Sequence, residues 1–133
     1  MPKSLRHRDE IMRFLEVFVQ SRPDVAKQIE LEFQNLADSL EACEWFMTHE
    51  VVGSSVLVIY DGAVPPRAPP VVAMIDFANT FLVEQYGLTR LTHREPWVKG
   101  NHEEGYLKGL DSLVDCFSGL AAALGVSGGK GAS

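Results

Sequence analysis

VVAMIDFANT, residues 71–80, sets the problem from which the rest of the chain is read: an apolar run with the look of a strand buried on both faces carries Asp76 between Ile75 and Phe77. An unpaired carboxylate in an apolar setting costs several kcal/mol, and an ion pair there costs nearly as much unless its geometry is good. Asp76 therefore needs a compensating partner.

The stretch before it narrows the choice. Val56 to Tyr60 is a second apolar, β-rich run, entered through the small residues Gly53, Ser54 and Ser55. Between the two runs lies DGAVPPRAPP, residues 61–70, whose four prolines remove donors and whose Asp61-Gly62 favours a turn. Two strands joined by so short a polar connection form an antiparallel hairpin, since a parallel pair needs a crossover of about a dozen residues or more. If the connection closes symmetrically, Tyr60 faces Val71 and Asp76 lies across from Ser55. A hydroxyl donates to a carboxylate, and the oxygens of both suit a hard cation such as Mg²⁺. The alternatives are that Asp76 caps the following turn or pairs with an arginine.

Helices flank this hairpin. From Asp9 to Gln20 the apolar residues Ile11, Phe14, Leu15, Phe18 and Val19 fall on one helical face. Ser21, Pro23 and Asp24 then read as a cap and acidic first turn of a second helix, with Val25, Ile29, Phe33, Leu36 and Leu40 on its apolar side. The two are expected to pack as an antiparallel pair. Near the other end, Asn101 followed three residues later by Glu104 resembles a capping box. Tyr106, Leu110, Leu113, Phe117 and Leu120 continue at helical spacing until Gly125. GVSGGKGAS, residues 125–133, is expected to be a flexible tail. Trp97 and Tyr106 are read as core anchors rather than ring-stacking ligand contacts.

Composition limits the function classes. The chain has 133 residues, 46% hydrophobic, 23% charged, with a net charge of −6. That suits one globular domain burying roughly two thirds of its unfolded surface. No Lys/Arg cluster suggests nucleic acid or an anionic membrane as partner, and no apolar run approaches the roughly 20 residues of a membrane span. MPKSLRHRDE, residues 1–10, lacks a secretory apolar core, and Cys43 and Cys116 lack ligand spacing, so reduced thiols with no disulfide in a cytosolic or nuclear protein are expected. His102-Glu103-Glu104 is not HExxH, because Tyr106 stands where the second histidine would be. GxSxG, GxxxxGK[ST] and GxGxxG do not occur.

THEVVGSSVLVIYDG (48–62), MIDFANT (74–80) and HREPWVKGNHEEGYLKGL (93–110), in that order, resemble the C-terminal half of the inositol polyphosphate kinases, most of all their inositol-trisphosphate 3-kinase branch. The likeness runs from about Asp9 to about Leu120. It implies an α+β fold: the C-terminal lobe portion of a protein-kinase-related inositol polyphosphate kinase fold, with an antiparallel β-hairpin packed with helices. Residues 1–124 would be that portion, with a helical pair at 9–42, the hairpin and metal motif at 51–77 and a long helix at 101–124.

The resemblance also implies roles. Asp76, the aspartate of the IDF triplet, and Ser55, the second serine of the GSS motif, would hold Mg²⁺ against the phosphates of ATP. The acceptor would be an inositol phosphate, with inositol 1,4,5-trisphosphate at its 3-hydroxyl as the leading substrate and a multikinase activity as the alternative. The family pattern P-x-x-x-D-x-K-x-G, whose aspartate and lysine handle the reacting groups, occurs nowhere in these residues, and PDVAK at 23–27 does not satisfy it. The chain alone is therefore expected to be catalytically incomplete, its catalytic residues and N-terminal lobe lying elsewhere. The rival expectation is a truncated, non-catalytic lobe that self-associates or serves as a scaffold. Asn79 stands where the family usually has a basic residue, which weakens a ligand contact there.

Overall fold

Helix α2 (Pro23–Glu41) organises the molecule because one of its faces is continuously apolar. Val25, Ala26, Ile29, Phe33 and Ala37 are buried, and Leu36 and Leu40 close its flank. The face meets α4 (Tyr106–Ala132), which returns the same period through Leu107, Leu110, Phe117 and Leu120. Phe33 and Phe117 stack across the seam with ring centres 5.6 Å apart. In the computed structural model the backbone is described for residues 3–132 and the side chains for residues 7–125. Among these, no helix is long and apolar enough to cross a membrane, and Cys43 and Cys116 are free thiols.

Helix α1 (Lys3–Phe18) packs on α4 rather than chiefly on α2, so the expected antiparallel pair is replaced by two helices that share α4 as a partner. The contact is narrow. Leu15 and Val19 are buried, whereas Ile11 and Phe14, placed on the apolar face by periodicity, are exposed. The end of α1 is held to the hairpin: the Tyr60 hydroxyl donates to the Phe18 carbonyl, and Gln20 Nε2 donates to Tyr60 Oη at 3.2 Å. The cap of α2 also differs from expectation. Arg22, not Ser21, precedes Pro23, and no side chain caps the helix. Arg22 instead binds Asp24 at 3.1 Å and the carbonyls of Gly62 and Ala63 at 3.0 and 3.3 Å, tying the proline-rich loop to the start of α2. That loop is closed by Asp61, which accepts from Ala63 N and Arg67 N. The Arg67 guanidinium and these two amides hold its carboxyl below the ordinary carboxylate value.

The expected hairpin forms, between β2 (Ser55–Ile59) and β3 (Val71–Ile75), with Ile59 facing Val71 and Ser55 facing Ile75. It is displaced by one residue from the symmetric register. A second antiparallel pair, unanticipated, joins β1 (His49–Val51) to β4 (Thr80–Leu82). Neither hairpin strand is buried on both faces. Val56, Val58, Val72 and Met74 turn toward the helical core, whereas Leu57, Ile59 and Val71 are 42%, 53% and 52% exposed, because helices cover one side of the ribbon only.

Helix α3 (Glu44–Met47) leads into β1, and a short 3₁₀ turn, Val83–Tyr86, follows β4. Helix α4 begins at Tyr106, five residues later than the capping-box pattern suggests. Asn101 Oδ1 accepts from Glu103 N in a local turn, and His102 and Gly105 at φ 57° and 75° keep the chain out of the helix until then. At its other end the helical backbone passes through Gly125 to Ala132, so the glycines expected to form a tail do not stop it. Extending an existing helix is far cheaper than starting one, and each glycine costs only about 1 kcal/mol. Trp97, expected in the core, is 69% exposed, whereas Tyr106 sits edge-on against Phe46 as an anchor.

The Tyr106 hydroxyl is buried and accepts or donates no hydrogen bond among the described residues, and burial raises its pKa to about 12 from 10. The folded state thus favours the neutral phenol. The resulting stability is complete below pH 10 and is lost as pH rises toward about 12. Tyr106→Phe is expected to leave stability at pH 7 unchanged or raise it by up to about 1 kcal/mol, since no bond is broken. It is also expected to flatten the alkaline fall, measured by urea denaturation at stepped pH.

Candidate functional site

The two strand pairs are segments of one interrupted ribbon. Between the last pair of one ladder, Val51 with Thr80, and the first of the other, Ser55 with Ile75, three residues (52–54) oppose four (76–79). The extra residue must leave the ladder, as in a β-bulge. Gly53 takes φ 71° on the shorter side, and Asp76 takes φ 63° on the longer. For a residue with a Cβ that conformation costs about 1 kcal/mol or more, with Asp and Asn the most tolerant after Gly, and such strain concentrates at functional positions. The interruption also explains the one-residue displacement of the hairpin: Asp76 lies one step past the Ser55–Ile75 pair rather than opposite Ser55.

Asp76 is exposed, which corrects the premise that an apolar interior surrounds it. The penalty it carries is backbone strain, not desolvation. It forms no ion pair with an arginine and caps no turn; among the described residues its carboxylate, like the hydroxyls of Ser54 and Ser55, has no hydrogen-bond partner. Phe77, Ala78 and Asn79 are exposed as well. The break therefore presents one carboxylate and two hydroxyls to solvent, from the ends of adjoining strands.

These donors suit a hard cation. Mg²⁺ takes oxygen ligands, keeps several waters and is commonly bound through one or two carboxylates plus substrate phosphates. Among the described residues no group of three His, Cys, Asp or Glu side chains comes together, so a protein-only cage is not the arrangement offered here. Asp76 and Ser55 fit a metal that brings its remaining oxygens with it.

A second cluster positions the break, and sequence reasoning missed it. Glu104, read from the sequence as part of a capping box, and its neighbour Glu103 turn inward. Glu104 Oε2 accepts from Val51 N at 3.0 Å, while its Oε1 meets His93 Nδ1 and, at 3.3 Å, the amide of Tyr106. His93 is fully buried, stacked on Phe46 at 4.0 Å, and its Nε2 lies 2.8 Å from the Phe46 carbonyl. Glu103 accepts from both the amide and the hydroxyl of Thr92 at 2.9 Å. His102 Nδ1 pairs with Glu50 at 3.0 Å and stacks on Tyr86. Residues 48–51, 91–95 and 101–106 are thus knotted together behind the ribbon. The one hint in the sequence is a run of charged and histidine residues held between Gly100 and Gly105, too costly to bury unless each has a partner.

A family model described as inositol polyphosphate kinase matches residues 2–118. Inositol-trisphosphate 3-kinase A of Homo sapiens is 40% identical over 119 residues, covering 90% of this chain and 24% of that protein. Inositol-trisphosphate 3-kinase C of Mus musculus is 37% identical over 113 residues, 85% of this chain and 16% of its own length. The inositol-trisphosphate 3-kinase homolog of Caenorhabditis elegans is 37% identical over 106 residues. The chain spans about a quarter or less of these relatives.

Because Glu104 satisfies three groups at once, Glu104→Ala is expected to cost about 3–5 kcal/mol, the toll of leaving buried partners unpaired. The loss is to be read as a lowered midpoint in urea. An unchanged midpoint would show that the junction contributes no stability.

Proposed function

Since the chain belongs to the inositol polyphosphate kinase family, we propose that it supplies the metal-holding corner of an ATP- and Mg²⁺-dependent inositol phosphate kinase acting in the cytosol or nucleus. The proposed substrate is inositol 1,4,5-trisphosphate, phosphorylated at its 3-hydroxyl, in keeping with the names of the relatives; a multikinase activity is the alternative within the class. The observation that carries this reading is the interruption of the ribbon, which leaves Asp76 and Ser55 solvent-facing and unpartnered at adjoining strand ends.

Phosphoryl transfer asks little covalent chemistry of the protein; positioning and charge stabilisation do most of it. When bound, Mg²⁺ would neutralise charge on the β- and γ-phosphate oxygens. Asp76 would contribute an anionic ligand and Ser55 a neutral one, and the strained backbone at Asp76 keeps the carboxylate out of the ladder without substrate. Asn79, exposed and uncharged, offers a phosphate a hydrogen bond but no ion pair. None of the 133 residues matches the aspartate and lysine of P-x-x-x-D-x-K-x-G, so the proton acceptor and the phosphate-handling cation are proposed to lie outside them, and the chain by itself is proposed to transfer no phosphate.

A second reading, a non-catalytic binding module, is favoured by the exposed apolar face of Leu57, Ile59 and Val71. Under it the chain self-associates or holds a partner tightly through that face; a stable monomer by light scattering at about 100 μM would count against the self-association arm.

In the full-length kinase that contains these residues, Asp76→Asn is expected to lower ATP-dependent turnover about 100-fold or more, roughly 3 kcal/mol of transition-state stabilisation. Its denaturation midpoint should not move, because the native side chain is exposed and unpartnered. Wild-type turnover in that variant would end the metal reading.

A further inference from the structure

A strained residue persists only where its surroundings over-determine it, and the segment after Asp76 has one side-chain bond among the described residues that does so. Thr80 Oγ1 donates to the Phe77 carbonyl at 2.6 Å, closing the four residues 77–80 into a turn. Two further contacts fix the ends of this turn. Val52 N donates to the Asn79 carbonyl at 2.9 Å, and Thr80 itself pairs with Val51, whose amide Glu104 holds. On the other side of Asp76, Ile75 is locked to Ser55. Asp76 is left as the single residue that must absorb the change of direction between two anchored points, and it does so at φ 63°.

We propose that Thr80 is a positioning residue for the Asp76 corner: its hydroxyl, by closing the 77–80 turn, holds Asp76 in the left-handed conformation in which the carboxylate stands clear of the ladder. The inference rests on the metal reading of Asp76 given above. It assigns Thr80 no contact with metal or nucleotide. A competing arrangement without the clamp would let residues 76–79 take up the slack at another position and draw Asp76 back toward the strand.

The test uses Mn²⁺ with ATP as a paramagnetic stand-in for Mg²⁺ and reads broadening of the Ser55 and Asp76 amide signals in ¹⁵N spectra of the full chain. Thr80→Val removes the donor at constant shape and is expected to raise the Mn²⁺ needed for half-broadening about fivefold, the weight of one hydrogen bond. Thr80→Ser keeps the donor and is expected to restore the wild-type titration. Thr80→Ala carries the same loss should the valine variant not fold. A purely structural role would lower the denaturation midpoint and leave the Mn²⁺ titration of Thr80→Val where it was. That result, with Asp76→Asn still abolishing broadening, would overturn the role of Thr80 while sparing the metal site. Broadening that survives in Asp76→Asn, or is absent from the wild-type chain, would overturn both.

Discussion

The carboxylate of Glu104 is the point at which three parts of the chain meet: the last residue of β1, the buried ring of His93 and the first turn of α4. A group that gathers several donors in a water-poor setting is cheap to bury, and a donor left behind in its absence is expensive. The junction thereby makes the start of the ribbon a rigid extension of the helical core. Ser54 and Ser55 follow by three and four positions the Val51 amide that Glu104 holds in place, and Thr80 is the strand partner of Val51.

Rigidity on one side makes the interruption on the other informative. A regular ribbon from His49 through Ile59 would have placed every backbone group in a ladder and left no residue free. One extra residue on the returning strand breaks that regularity, and the strain falls on Asp76, whose short polar side chain tolerates it better than Phe77 or Ile75 would. Sheet hydrogen bonds are given up for an exposed carboxylate beside two hydroxyls. The apolar outer face of the hairpin points the same way: neither feature improves the stability of this chain, and both suit contact with something else.

Much of the architecture was legible from local pattern. The period of Val25, Ile29 and Phe33, and that of Leu110, Phe117 and Leu120, located α2 and α4 and their buried faces, because burial against a single partner leaves a 3.6-residue signature. The hairpin was legible from its apolar runs and proline-rich connection. Residues 44–51 and 80–106 were harder. Three-residue strands carry too few alternations to register, and the Asn101–Glu104 spacing reads as a helix start whether or not the carboxylates turn inward. Asp76 was picked out for a reason that did not hold, since an apolar run cannot disclose whether both of its faces are covered.

Residue order alone therefore determined which segments are helical or extended, that the two apolar runs pair antiparallel, and that Asp76 and the serines stand near one another, all of which depend on contacts close in sequence. Only the tertiary structure decided that helices cover one side of the ribbon, that the ladder loses register between Val51 and Ser55, and that Glu104 is an internal staple rather than a surface charge. Those outcomes turn on partners outside the local segment, as far as the 53 positions between Val51 and Glu104, where the energy of satisfying a buried polar group outweighs local preference and leaves no periodic trace in the chain.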